Sequence, residues 1–258
     1  MSEGRVHLQI AQGMASVTFD RPEARNAMTW AMYGELGDIC GALQSDASVR
    51  VVTFRGAGGA AFVAGTDIEQ FQAFRSGDDG VAYEQQIDQC LQKLESLPMP
   101  TVAVVEGWAI GGGLAIATAC DFRLATPASR FGVPIARTLG NCLSVANLAR
   151  LGSVFGLPRV RRMLMLAEIV GAEEALDCGF LLQVLAPEAI DAAAAQLSER
   201  LAALAPVTQR VTKAALRRLT GHGLPPDEDL VRQCYGSADF REGVAAFVAK
   251  RPPVWRGH

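Results

Sequence analysis

The segment TVAVVEGWAIGGGLAIATAC, from Thr101 to Cys120, decides the fold class of this chain. It begins with a β-branched run that is typical of a buried strand, continues through consecutive glycines and ends in small apolar residues. With Glu106 as its one charge, it is also long enough to span a bilayer. Its glycines would weaken a lone spanning helix, however, so the segment predicts a buried strand, a glycine turn and a buried helix.

Three apolar segments before residue 101 predict further strands. Val6 to Ile10 and Met14 to Phe19 have the alternation of a β-hairpin. Val49 to Phe54 is a short apolar run that predicts a buried parallel strand. The glycine-rich residues 56–65, which follow it, predict a loop.

Helical patterns separate these strands and dominate the end of the chain. Apolar residues recur at spacings of three and four after Thr29, a predicted N-cap, and again from Tyr83 onward. Beyond Leu143 almost every pattern is helical. The alternation predicts an α/β fold with a parallel sheet, divided into an α/β core over residues 1–190 and a C-terminal helical region over residues 191–258.

The composition restricts the class of function. The chain has 258 residues, of which 50% are hydrophobic and 20% charged, which is enough to build a real core. A net charge of -3 offers no basic surface to a phosphate backbone, so no nucleic-acid partner is expected. The first ten residues contain charges and no apolar signal region, and we expect a cytoplasmic protein without a membrane partner.

Cysteine and histidine give no metal or disulfide pattern. The six cysteines are scattered without C-x-x-C spacing, so we expect neither a disulfide framework nor a metal site. The three histidines are His7, His222 and His258, and two of them lie in a glycine-flanked loop and at the terminus. Chemistry that depends on histidine is therefore hard to build.

Two glycine-bearing segments, Phe62 to Ile68 and Gly107 to Leu114, are each predicted to follow a buried strand and lead into a helix. Free backbone N–H groups at such turns can point at one position in front of the sheet, and glycine lets a ligand approach the backbone closely. We therefore expect that position to bind an anion. Residues 56–61 also match the relaxed dinucleotide pattern G-x-G-x-x-A, but without the helix and the acidic residue that this fingerprint requires.

The order of motifs along nearly the whole chain resembles the crotonase (enoyl-CoA hydratase/isomerase) superfamily. Each motif alone is common, whereas all of them in this order are highly specific. The resemblance implies a crotonase-type spiral of ββα units with a C-terminal helical trimerisation region, assembled as a homotrimer or a dimer of trimers. The matching segments are DRPEARNAM at 20–28, FVAGTDI at 62–68, VEGWAIGGG at 105–113, CDFRLA at 120–125, FGVP at 131–134, and 240–253.

The resemblance also implies an oxyanion hole for an acyl-CoA thioester. The backbone N–H groups of Ala64 and Gly112 would polarise the thioester carbonyl and stabilise an enolate, and the loss of one such donor typically costs ~3 kcal/mol. Coenzyme A would enter as part of the substrate, and no permanently bound cofactor is expected. The implied substrate and CoA contacts are Ala24, Arg25, Ala27, Gly65, Thr66, Asp67, Ile68, Trp108, Gly111, Pro134, Ile135, Arg137, Phe247 and Lys250.

The chain departs from this family at its two acid–base positions. Hydratases of the family resemble one another in two glutamates, and those positions here hold Ala115 and Ile135. Neither side chain transfers a proton, so two-glutamate hydration is not expected. We expect a lyase or isomerase of the family that relies on enolate stabilisation. Decarboxylation, isomerisation and thioester hydrolysis stay open, and a CoA-thioester-binding homologue without hydratase activity is the alternative.

Residues near the second missing glutamate are candidates to replace it. Cys142 matches the stretch where aryl-CoA dehalogenases of the family carry a nucleophilic aspartate, and a helix N-terminus there would favour a thiolate. The alternative is a packed thiol. Arg137 is predicted to bind a carboxylate on the substrate. Asp67 and Asp121 are expected to hold loops, whereas Glu69 and Tyr83 stay open as further candidates. An exposed apolar surface over Phe122 to Pro134 and on the C-terminal helices is expected to favour self-association.

Overall fold

The chain forms ten strands and ten α-helices within residues 3–221, 223 and 226–256, which are the residues that this computed structural model describes. His222 and His258 lie outside the described residues. Short 3₁₀ helices cover Pro22–Ala24 and Ile68–Ala73. In chain order the elements are β1 (Arg5–Ala11), β2 (Met14–Asp20), α1 (Trp30–Ser45), β3 (Val51–Gly56), β4 (Ala61–Ala64), α2 (Gly77–Glu95), β5 (Thr101–Val105), β6 (Trp108–Ile110), α3 (Gly112–Ala119), β7 (Phe122–Ala125), β8 (Arg130–Gly132), α4 (Ile135–Thr138), α5 (Val145–Met165), β9 (Ile169–Gly171), α6 (Ala172–Asp177), β10 (Gln183–Val184), α7 (Ile190–Ala202), α8 (Pro206–Gly221), α9 (Glu228–Tyr235) and α10 (Ala238–Val248).

The strands form two sheets. The larger has the order β1-β2-β3-β5-β7-β10 and is parallel except for the hairpin strand β1. The smaller has the order β4-β6-β8-β9, with β9 antiparallel to β8. The parallel sheet and the hairpin predicted from the sequence are confirmed.

Successive chain segments repeat one ββα pattern. In each of the pairs β3 and β4, β5 and β6, and β7 and β8, the first strand joins the larger sheet, the second joins the smaller one, and a helix follows. This is the spiral of ββα units that was predicted. The prediction that residues 56–65 form only a loop is wrong, because they contain β4. Strands of three or four residues are too short for a periodic pattern to reveal them.

The C-terminal helices complete the core. The last strand ends at Val184, and α7 to α10 follow from Ile190 onward. The buried face of α7 covers the larger sheet, where Ile190 and Leu201 pack with Val102. Helix α9 packs against α2, and α10 packs against the 3₁₀ helix Ile68–Ala73. These contacts bring residues from the end of the chain to the centre of the molecule.

The predicted exposed apolar surface over Phe122 to Pro134 is wrong. This segment supplies β7 and β8, and Leu124 and Phe131 are completely buried because both sheets pack around them. The C-terminal helices do carry exposed apolar side chains, as predicted, and Leu219 on α8 is 81% exposed. In the described part of the chain, no helix has both the length and the apolar character that crossing a membrane requires.

Candidate active site

One cavity of about 490 Å³ gathers most of the residues that the sequence singled out. It lies where β4 and β6 end, and its wall is completed by α2, by the segment before α5 and by α10. Of the predicted site residues, Cys142, Arg137 and Lys250 are not part of its lining. Those that line it are Ala24, Arg25, Ala27, Ala64, Gly65, Thr66, Asp67, Ile68, Trp108, Gly111, Gly112, Pro134, Ile135 and Phe247.

The paired ends of β4 and β6 bring Thr66 and Gly112 close together. Ala64 lies opposite Ile110 in the parallel register, so the next residues along the two strands are also neighbours. A Cβ placed on Gly112 would lie only 3.3 Å from Thr66 Oγ1. Gly112 is the first residue of α3, and a helix leaves its first N–H groups without an intrahelical acceptor.

The N–H of Thr66 points away from Met28, the residue that pairs with Thr66 in a parallel bridge. Met28 donates its N–H to Gly65 O at 2.9 Å and accepts the Asp67 N–H at 2.8 Å. In this parallel bridge the two flanking residues bond to Met28, so the N–H of Thr66 itself faces the opposite side, toward β6 and Gly112. Thr66 and Gly112 both line the cavity, which makes their N–H groups candidate donors to a ligand.

Ala64 does not have a free N–H, which corrects its predicted role in an oxyanion hole. Its N–H donates to the carbonyl oxygen of Arg25 at 3.0 Å. A backbone group that is already paired in this way cannot also hold an oxyanion without losing that bond. The sequence could not reveal this pairing because Arg25 belongs to a distant turn.

Two tyrosine hydroxyls fix the Thr66 side chain from behind. Thr66 Oγ1 lies 2.9 Å from the hydroxyl of Tyr33 and 3.0 Å from that of Tyr83. Burial raises the pKa of both tyrosines above the ordinary value, so both hydroxyls stay neutral. This hydrogen-bonded group holds the end of β4 in place beside α3.

Glu84 is a buried carboxylate in the wall of this cavity and was not predicted. It is 4% exposed, and its two oxygens accept the Tyr235 hydroxyl at 2.7 Å and the Ser144 N–H at 2.8 Å. Burial raises the pKa of Glu84 to about 7, against the lowering effect of these two hydrogen bonds. The sequence carried one signal for it: Glu84 lies three and seven residues before Ile87 and Leu91, within the apolar stripe of α2.

Comparison with known proteins identifies the family of this chain. A family model described as enoyl-CoA hydratase/isomerase matches residues 9–258. The chain belongs to the enoyl-CoA hydratase/isomerase family. It is 31% identical to (E)-benzylidenesuccinyl-CoA hydratase of Thauera aromatica, over 98% of this chain and 99% of that protein.

Solved structures of the family have the same fold. An enoyl-CoA hydratase/carnithine racemase from Magnetospirillum magneticum has 33% identity and a TM-score of 0.80, over 98% of this chain and 96% of the other. A methylmalonyl-CoA decarboxylase in complex with 2-nitronate-propionyl-CoA has 26% identity and a TM-score of 0.89, over 98% of both chains. The crotonase fold predicted from the motifs is therefore confirmed, and the family includes enzymes with different reactions.

In this enoyl-CoA hydratase/isomerase family member, the predicted nucleophile Cys142 does not have the surroundings that activate a thiol. The hydrogen bond with the Cys234 side chain and burial both raise the pKa of Cys142, and the carboxylates of Glu84 and Asp227 add to this. Cys142 is also absent from the cavity lining. The packed-thiol interpretation fits this position, because a nucleophilic cysteine needs nearby positive charge and access to the ligand.

Arg137 and Lys250, the two cations that were predicted to bind the substrate, both lie outside the cavity lining. Arg137 lies on α4, is exposed, and is not among the lining residues, so the structure does not support its binding a carboxylate inside the cavity. Lys250 is exposed just beyond the end of α10, three residues after Phe247, and its contact with CoA phosphates stays a prediction.

The two aspartates that were expected to hold loops do so. Asp67 forms an ion pair with Arg21 at 2.9 Å and caps the 3₁₀ helix by accepting the Glu69 N–H. Asp121 accepts the backbone N–H of Thr101 at 2.8 Å and pairs with Lys213 at 2.7 Å. Asp67 also lines the cavity, so this role does not exclude contact with a ligand.

Glu84 is expected to make the stability of the protein depend on pH. Its pKa is about 7 in the folded chain against an ordinary 4.5, so the folded state binds more protons between these values. The free energy of unfolding should therefore fall by about 3 kcal/mol as the pH rises through this interval. A Glu84→Gln variant lacks this loss, and urea unfolding of both proteins at about pH 4.5 and about pH 8 measures the difference. Equal pH dependence in the two proteins would contradict the expectation.

Proposed function

We propose that this protein is an enzyme of acyl-CoA thioesters that holds the thioester oxygen on the N–H groups of Thr66 and Gly112 and stabilises an enolate. The observation that supports the proposal is that Thr66 and Gly112 follow the paired ends of β4 and β6 and both line the cavity. Fixed N–H donors at a position where negative charge develops are the commonest large contribution to this kind of catalysis. The hydratase and the decarboxylase named above act on CoA thioesters, which supports the same substrate class here.

The CoA part of the substrate would lie along the other lining segments. Ala24, Arg25 and Ala27 come from the turn after β2, and Phe247 comes from α10. Arg25 is exposed and suits a nucleotide phosphate, with Lys250 as a second cation near the end of α10. Coenzyme A would thus be part of the substrate, and we propose no permanently bound cofactor.

Two-glutamate hydration is not the reaction that we propose. Ile135 lines the cavity, Ala115 is buried in α3, and neither side chain can donate or accept a proton. These two residues also favour a second candidate, a CoA-thioester-binding homologue without hydratase activity. Isomerisation, decarboxylation and thioester hydrolysis all proceed through an oxyanion or enolate and stay within the first proposal.

The proposed site is tested with acetoacetyl-CoA, whose enolate resembles the charge that the two N–H groups would stabilise. We expect titration calorimetry to show that acetoacetyl-CoA binds at least about tenfold more tightly than free CoA, a difference of about 1.4 kcal/mol. Crotonyl-CoA, followed by its enoyl absorbance, should undergo little or no hydration. Equal affinity for CoA and acetoacetyl-CoA would contradict the proposed oxyanion site, and rapid hydration would restore the hydratase reaction.

We also propose that the protein assembles as a homotrimer or a dimer of trimers. The support is the exposed apolar surface of the C-terminal helices, where Val211 and Leu216 of α8 are each 59% exposed. Apolar patches of this kind commonly mark contacts between proteins.

The cytoplasmic location stays a prediction from the sequence.

A further inference from the structure

The position of Glu84 is fixed by a close contact between α2 and α9. A Cβ placed on Gly80 would lie 2.2 Å from Tyr235 Cγ, and one placed on Gly77 would lie 2.2 Å from the carbonyl oxygen of Arg232. Only glycine allows α9 to approach α2 this closely. The contact places the Tyr235 hydroxyl on the carboxylate of Glu84, one turn further along α2.

The Glu84 carboxylate keeps hydrogen-bonding capacity after these contacts are made. Each oxygen of an ionised carboxylate can accept two hydrogen bonds, and Tyr235 and Ser144 supply one bond to each oxygen. Asn141 Nδ2 donates to the Tyr235 hydroxyl at 3.1 Å, which leaves that hydroxyl free to donate to Glu84. The carboxylate is therefore oriented by its neighbours and can still accept a proton from a molecule in the cavity.

No cation neutralises Glu84 among the ion pairs of the described residues. The titratable groups around it are acids, phenols and thiols from α1, α2, α9 and the segments before α5 and α9. A buried carboxylate with these neighbours is costly, and carboxylates of this kind are concentrated at functional sites. The titratable neighbours are Asp88, Asp227, Tyr33, Tyr83, Tyr235, Cys142 and Cys234.

We propose that Glu84 is the catalytic residue that removes the α-proton of the bound acyl-CoA and returns it, replacing the missing acid–base residues of the family. This rests on the proposed function, since the thioester must be held by Thr66 and Gly112. The Glu84 carboxylate takes the proton from Cα, the C–H electron pair becomes the C=C bond of the enolate, and the carbonyl π electrons move onto the oxygen. Return of the proton from Glu84 to carbon reverses these shifts, so no oxidant or further reactant is needed.

The surroundings of Glu84 also indicate the kind of acyl group. The lining beside it is largely apolar and includes Phe71, Leu139 and Leu143. The arginines of the cavity lining, Arg21 and Arg25, come from the turn after β2, and no cation among the described residues acts on Glu84. A carboxylate on the acyl chain beside Glu84 would therefore meet like charge. The site therefore fits an uncharged acyl group, and the exchange of its α-protons is the reaction to test.

A purely structural role for Glu84 makes a different prediction from a catalytic role. Glutamine at position 84 could accept the Ser144 N–H with its oxygen and donate its amide N–H to the Tyr235 hydroxyl, so it preserves both contacts. It cannot accept a proton from carbon. Glu84→Gln thus separates support of the fold from proton transfer.

The test is the exchange of the α-protons of butyryl-CoA in D₂O, followed by NMR. Wild-type protein should incorporate deuterium at Cα, and Glu84→Gln should lower the rate by about 100-fold or more while keeping its affinity for acetoacetyl-CoA. Glu199→Gln, which makes the same change on the exposed face of α7, should match the wild type. Exchange by Glu84→Gln at the wild-type rate would overturn the assignment, as would a wild-type protein that binds acetoacetyl-CoA but exchanges nothing. Failure to bind acetoacetyl-CoA at all would overturn the proposed function first.

A second variant tests Tyr235 as a positioning residue. Its hydroxyl lowers the pKa of Glu84, so Tyr235→Phe should move the pH midpoint of the exchange reaction upward. An unchanged midpoint would show that Glu84 is not the group that titrates in the reaction and would overturn the proposal.

Discussion

Replacing Gly112 with alanine is expected to weaken the binding of acetoacetyl-CoA by about 100-fold, the size of effect seen when an oxyanion donor is lost. The new Cβ would lie 2.2 Å from the Tyr33 hydroxyl. That hydroxyl bonds to Thr66 Oγ1, so its displacement disturbs both proposed donors together. Titration calorimetry measures the loss.

The matched control removes the clash between the new Cβ and the Tyr33 hydroxyl and keeps the backbone N–H of residue 112. A Tyr33→Phe/Gly112→Ala double variant lacks the hydroxyl, and the next nearest atom of residue 33, Cζ, lies 3.5 Å from the new Cβ. It should recover most of the affinity, because alanine still donates its N–H at position 112. If the double variant binds as weakly as Gly112→Ala, the clash with Tyr33 is not the cause of the loss.

Replacing Gly113 with alanine is expected to lower the free energy of unfolding by roughly 3 kcal/mol. The new Cβ would lie 2.0 Å from the carbonyl oxygen of Val63, which is backbone in β4 and cannot rotate away. The helix α3 and the strand β4 would have to separate, which breaks the packing on which the cavity depends. Urea unfolding measures the change.

Gly41→Ala is the control for helix propensity. Gly41 lies in α1, and a Cβ placed on it meets nothing within 4 Å. The variant should gain roughly 0.5–1 kcal/mol of stability, because glycine is unfavourable in a helix. If Gly113→Ala is as stable as Gly41→Ala, the claim that α3 and β4 pack too closely for a Cβ at position 113 is contradicted.

The two proposed donors depend on close approach between short elements. β4 and β6 have four and three residues, too few to be stable alone, and they are held between the larger sheet and the helices. The glycines at the start of α3 let this helix approach β4 closely. The site is thus a consequence of packing between elements.

The local patterns of the sequence determined the hairpin, the parallel sheet and the segments that surround the cavity. Thr29 caps α1 by accepting the Met32 N–H, as predicted, because a cap involves residues only three apart. The motifs at 20–28, 62–68, 105–113 and 131–134 also indicated most of the cavity lining, since each contains the end of a strand. These features depend on neighbours in the chain.

Only the tertiary structure decided which groups at the site are free to act. Ala64 loses its N–H to Arg25, 39 residues away, and Glu84 meets Tyr235 from the last part of the chain, at a separation of 151 residues. Whether a backbone donor is paired, or a carboxylate is removed from water, depends on partners that no local pattern contains. For that reason the sequence indicated the cavity, while the paired N–H of Ala64 and the buried carboxylate of Glu84 emerged only from the packing of distant segments.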